Sequence, residues 1–124
     1  MTHRFRKRTT DEINFEREVA RALDQLPEWV RIQLANVAII VEEEPTLDEQ
    51  DYGGALYAVY DGASVGMDAG PFALPSRIVL FRRPLIADFG RGTRLRREIR
   101  RTIVHEIAHH FGMSEEDIAM LGYS

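Results

Sequence analysis

Apolar positions recur at three- and four-residue steps near both ends of the chain, with short β-branched runs between them. Ile13, Phe15, Val19, Ala20, Leu23 and Leu26 trace an amphipathic helix, and Thr10 and Asp11 are candidate N-caps for it. Pro27 suits the first position of a second, short helix carrying Trp29, Val30, Ile32 and Leu34. Val37 to Val41 is a β-branched apolar run between Asn36 and the acidic Glu42-Glu43-Glu44-Pro45, which predicts a buried strand. Ala55 to Tyr60 alternates loosely and stops at Asp61-Gly62, a second strand with a turn after it. Arg77 to Arg82 predicts a third strand, ended by Pro84. Residues 43–54 and 63–75, acidic or rich in glycine and proline, are expected to be loops.

The strongest periodicity comes last. Leu95, Ile99, Ile103 and Ile107 stand four apart and predict one long helix with an apolar stripe, capped by Thr93 and running to Phe111. Gly112 is placed to end it in a left-handed conformation. Ser114 followed by Glu115-Glu116-Asp117 predicts a cap and the acidic first turn of a final short helix. Helices, three strands, then helices suggest an α+β domain with helices on one face of a small sheet.

Composition narrows the class. A chain of 124 residues with 44% hydrophobic and 29% charged residues suits one globular domain, expected over residues 10–124 after a disordered basic tail at 1–9. No run is long and apolar enough for a membrane span, and no apolar segment follows the basic start as a secretory signal requires. A cytoplasmic monomer is therefore expected. With no cysteine, a transition metal must be held by His, Asp or Glu. Net charge is −4, so a nucleic-acid partner is not expected. The arginines at 91, 94, 96, 97, 100 and 101 read as the solvated face of a helix, with phosphate binding as the weaker reading.

The chemistry lies in His105-Glu106-Ile107-Ala108-His109. Helix positions four apart share a face, so both imidazoles can bind one zinc ion. Glu106 sits about 100° round from His105, close enough to take a proton from zinc-activated water without being a ligand. The bland reading is two exposed histidines and a surface acid. A catalytic zinc site needs a third protein ligand. Gly112 allows the chain to reverse, and an acid three residues beyond it, Glu115, falls at the third-ligand spacing of H-E-x-x-H-x-x-G-x-x-H. Asp117 is the alternative ligand, and all three acids could simply favour the N-terminus of the last helix. His110 is out of register with His109 and reads as a support behind the ligands or as structural. Tyr123 is a candidate oxyanion stabiliser, against packing or exposure as the plainer role.

The segment from Arg100 to Glu115, with its HExxHHFG core, resembles the small bacterial zincin-like metallopeptidase family, first catalogued as a domain of unknown function. Leu121-Gly122-Tyr123, Phe15-Glu16 through Leu26-Pro27, Val37 to Pro45, and Leu74 to Phe81 resemble it as well. The resemblance implies a minimal zincin-like fold: a three- or four-stranded sheet, an active-site helix, and one Zn2+ on two histidines and an acid. That acid is commonly Asp in the family; Glu115 is one methylene longer. No Met-turn of the metzincin kind is expected. The implied activity is peptide hydrolysis on a peptide or protein substrate. The competing expectation is a zinc-dependent regulatory or interaction module with little or no turnover.

Overall fold

The computed structural model describes residues 7–47, 56–62 and 76–123. Their elements run α1 (Thr10–Asp24), α2 (Glu28–Leu34), β1 (Val37–Glu42), β2 (Ala58–Asp61), β3 (Ser76–Phe81), α3 (Arg82–Phe89), α4 (Thr93–His110) and α5 (Glu115–Met120). The expected loop at 63–75, most of the tail and part of the 43–54 loop lie outside the described residues.

Among the described residues the sheet has three strands in the order β1-β3-β2. β1 runs parallel to β3, with Ile39 opposite Ile78 and Val41 opposite Leu80. β2 runs antiparallel to β3, with Ala58 opposite Leu80 and Tyr60 opposite Ile78. Side chains alternate across a strand, so Ile78 and Leu80 share one face, and both join the main core cluster. From the helices that cluster takes Phe15, Val19, Ala22 and Leu26 of the first segment and Leu95, Ile99, Ile103 and Ile107 of α4. Each of the four α4 residues is at most 1% exposed. Burial of side chains this size contributes roughly 1.5–3 kcal/mol apiece, so the stripe fixes which way α4 faces. This is an α+β arrangement, as the periodicity predicts.

Several local expectations need correcting. Pro27 is the N-cap of α2 rather than its first residue, and β1 is an edge strand among the described residues, with no fully buried residue. Thr9, not Thr10 or Asp11, caps α1: its hydroxyl accepts from Glu12 N at 3.1 Å, and Glu12 completes a capping box. Within α1, Ala22 is buried while Ile13 is 41% exposed. The third strand is Ser76–Phe81 rather than Arg77 to Arg82, and Pro84 is not what ends it. The strand ends at Phe81 and α3 begins at once, with Pro84 in its first turn. A helix's first N–H groups have no intrahelical acceptor, so proline costs little there. Tertiary contacts supply the rest: Arg83 N donates to Glu43 O at 3.0 Å, and Arg82 grips the Glu43 carboxylate at 2.7 and 3.0 Å. Lastly, Gly92 is the N-cap of α4 and Thr93 its first helical residue.

Three of the six arginines before the HExxH segment tie α4 and the residues just ahead of it to α1 and its C-cap. Arg96 bonds Glu18 at 2.9 Å, Arg91 lies 3.4 Å from Asp11, and Arg100 bonds Gln25. Arg94 sits over the Phe89 ring. Acids of α1 thus meet part of this charge, which explains the local cluster within an acidic chain. Among the described residues no helix is long and apolar enough to cross a membrane.

Candidate active site

Ile103 and Ile107 anchor α4 in the core, and His105 lies about 200° round from Ile103, on the side turned away from it. His105 Nε2 is 2.6 Å from the carbonyl oxygen of Tyr123. A carbonyl only accepts, so that nitrogen carries the proton, and Nδ1 faces Glu115 Oε2 at 3.7 Å. His109 Nε2 lies 2.7 Å from Glu115 Oε1. The two imidazole centroids are 5.9 Å apart, edge to face.

Glu115 reaches the histidines because of how α4 ends. Gly112 takes φ +75°, open to glycine and strained for other residues. Around it Met113 N donates to Ala108 O at 2.9 Å and Gly112 N to His109 O at 3.0 Å, the paired bonds of a Schellman ending. The chain reverses, and Ser114 caps α5. The Ser114 hydroxyl accepts from Asp117 N at 3.1 Å, and Asp117 Oδ2 accepts from Ser114 N at 3.0 Å. Asp117 is therefore turned to its own helix cap, while Glu115 points at both rings. Tyr123 brings its main-chain carbonyl to His105, and its ring packs against the core. His110 stacks on the Tyr60 ring of β2 at 4.2 Å and 28°.

Glu106 lies half-buried beside these groups. Burial pushes its carboxyl pKa up, against the pull of His109, His105 and a backbone hydrogen bond with Tyr60. It opens with His105 and His109 into a cleft of about 360 Å³, whose far wall is Leu56, Tyr57 and Ala58 leading into β2. Tyr57 donates to Asp88, and that bond, with burial, raises the phenol pKa. Sequence spacing does not single out Tyr57, Asp88 or Phe89 as neighbours of this cleft. Tyr57 and Asp88 are 31 residues apart, and only the packing of β2 and α3 against α4 joins them.

Two imidazoles and one carboxylate suit zinc chemically. Their donor atoms all lie within 4.8 Å of one another, the one such group of three among the described residues. Zinc takes imidazole nitrogen and carboxylate oxygen as donors, so this set fits one such ion chemically. The same segment carries the match to known proteins: residues 34–123 match the zincin-like metallopeptidase family. The chain belongs to that family. The match runs from the end of α2 to Tyr123 and so takes in the whole sheet, the HExxH helix and the Glu115 turn. No curated protein gave a match to set beside the family. Membership of the zincin-like family agrees with the α+β architecture and with a group able to hold a metal ion.

Proposed function

We propose that this zincin-like chain is a zinc-dependent peptidase in which His105, His109 and Glu115 hold the metal and Glu106 is the general base. The observation that carries the reading is the convergence of those three side chains on one point, with a half-buried carboxylate beside them in an open cleft. When bound, zinc supplies a Lewis acid that lowers the pKa of water toward neutrality and polarises a carbonyl oxygen.

The chain's own groups do the rest. A Glu106 carboxylate oxygen takes a proton from the attacking water as its oxygen bonds to the peptide carbonyl carbon. The same carboxyl returns that proton to the leaving nitrogen as the C–N bond breaks. Burial moves its pKa toward neutral pH, the direction that suits a group that must both accept and give a proton. Tyr123 is a positioning residue: its carbonyl holds the His105 proton on Nε2 and so keeps Nδ1 free to ligate. The Gly112 reversal and the Ser114–Asp117 box aim Glu115.

The size of the cleft favours a second reading, a zinc-dependent binding module, because about 360 Å³ is near the lower end of ligand-site volumes. One experiment separates the two. Zinc-loaded wild type and Glu106→Gln are incubated with a peptide library, and new termini are counted by mass spectrometry. The peptidase reading expects about one zinc per chain in both proteins and a fall in cleavage of roughly 10²–10⁴-fold in the variant. Equal cleavage by both proteins would remove Glu106 from its role. No cleavage by either, with zinc bound, would leave the binding module.

A further inference from the structure

Arg97, Arg101, His105 and His109 stand at four-residue steps along α4, so they form one slowly winding ridge. The cleft holding both histidines and Glu106 includes Arg101 and Glu98 in its wall. Those same two residues also line an adjoining recess of about 520 Å³, together with Arg97, Arg100 and Tyr123. The recess therefore borders the cleft along the helix.

Among the described residues the charge in this recess is unbalanced: three guanidiniums face one carboxylate, that of Glu98. Arg101 meets Glu98 only at 3.4 Å and stays 47% exposed at its side chain. Arg100 is bonded to the neutral amide oxygen of Gln25 and pairs with no acid among the described residues. Arg97 is exposed and makes no hydrogen bond or ion pair among the described residues. This sets it apart from Arg96 and Arg91, whose charges are met by acids of α1. At 1.5 Å rise per residue, Arg101 is about 6 Å and Arg97 about 12 Å along the axis from His105. An extended peptide advances roughly 3.3 Å per residue, so two to four residues bridge the gap.

We propose that Arg97 and Arg101 are specificity-determining residues that seat a peptide carboxylate in this recess, so that the substrate class is acidic peptides. This rests on the peptidase reading of the neighbouring cleft. Guanidinium and carboxylate match as paired donors and acceptors, and the partial shelter of the recess strengthens the pairing relative to open solvent. The carboxylate has two possible sources, an acidic side chain or a free C-terminus.

The test uses zinc-loaded Glu106→Gln, so that ligands persist, and fluorescein-labelled octapeptides of Ala and Ser. One set is amidated and carries a single Glu scanned through each position. A second has no Glu and a free C-terminal carboxylate. A third is amidated and neutral. Fluorescence anisotropy gives Kd for each, in the Glu106→Gln background alone and with Arg97→Ala, Arg101→Ala or, as a charge control on α1, Arg17→Ala added. The expected result is binding roughly tenfold tighter for at least one carboxylate-bearing peptide than for the neutral one. That advantage should vanish with Arg97→Ala or Arg101→Ala, persist with Arg17→Ala, and shrink as salt rises. Which set binds better identifies the source. Equal affinity for charged and neutral peptides overturns the proposal. So does an advantage indifferent to both arginine variants, or an arginine-dependent affinity shown only by a DNA fragment. Circular dichroism confirms the fold of each variant, and Arg97→Gln with Arg101→Gln repeats the test should an alanine variant not fold. Wild-type digestion of the best-bound peptide separates the two readings. Arginine-dependent binding without hydrolysis sinks the peptidase and keeps the carboxylate-binding recess. Hydrolysis without acid preference does the reverse.

Discussion

The two faces of α4 obey the same spacing and answer to different physics. On one face Leu95, Ile99, Ile103 and Ile107 repeat every four residues and vanish into the core. On the other, Arg97, Arg101, His105 and His109 repeat just as regularly and line two open hollows. The buried face specifies where the helix lies, and its energy is burial of apolar area. The open face contributes little to that placement and carries the candidate chemistry. Substitutions on the two faces should therefore fail in different ways.

The largest expected contrast sets His105→Ala against Ile103→Ala. Losing His105 removes one of the three proposed donors, so zinc measured on the dialysed, folded protein should fall from about one per chain to near zero. Peptide cleavage should disappear with it. Metal-free stability should change by only about 1 kcal/mol, because the imidazole is partly exposed and makes one hydrogen bond. Ile103→Ala should cost about 2–5 kcal/mol in denaturant unfolding, the usual penalty of a cavity at a fully buried site. The molecules that remain folded should still hold zinc. Full zinc retention in His105→Ala, or full stability in Ile103→Ala, would break the comparison.

A finer contrast lies in the turn after α4, between two acids two residues apart. Glu115→Ala should lose most of the zinc, since its carboxylate meets both rings. Asp117→Ala should keep the zinc and lower stability by about 1 kcal/mol, the usual loss when a capping box is broken. Metal analysis and thermal melts on both variants check the pair, and the opposite pattern would move the third ligand to Asp117.

How much of this could be read from sequence follows the same division. The apolar stripe of α4 was readable because burial imposes a period on residue type. The HExxH spacing was readable because two donors on one helix have fixed relative positions. The reach of Glu115 was readable only as a count from Gly112, and the choice over Asp117 depends on which carboxylate the cap consumes. α3 was not readable. Its eight residues include Pro84, and its start is fixed by Arg82 and Arg83 meeting Glu43, about 40 residues away in sequence. Nor was the pairing of Tyr57 with Asp88, which exists only once β2 and α3 pack on α4.

Next in size is the brace between the helices. Arg96 and Glu18 pair at 2.9 Å with side chains 20% and 12% exposed, more sheltered than most surface pairs. Arg96→Ala should cost about 1 kcal/mol and leave zinc content unchanged. A loss of zinc there would show that the two ends of α4 are coupled, and that the division between bracing and chemistry is too sharp.

The smallest expected effect tests what Tyr123 contributes. Its carbonyl accepts from His105 Nε2, while its ring packs on the core and away from the cleft wall. Tyr123→Phe keeps the carbonyl and nearly all the packing. Cleavage should stay within about twofold of wild type, and ¹⁵N shifts of metal-free His105 should still show the proton on Nε2. Truncation after Gly122 removes the carbonyl and should shift that tautomer balance. A fall of about a hundredfold in kcat for Tyr123→Phe, with KM and zinc unchanged, would assign the phenol to the oxyanion instead, because removing one such donor typically costs that much. The carbonyl and the phenol belong to the same residue, so only this pair of variants can tell positioning of the ligand from stabilisation of the developing charge.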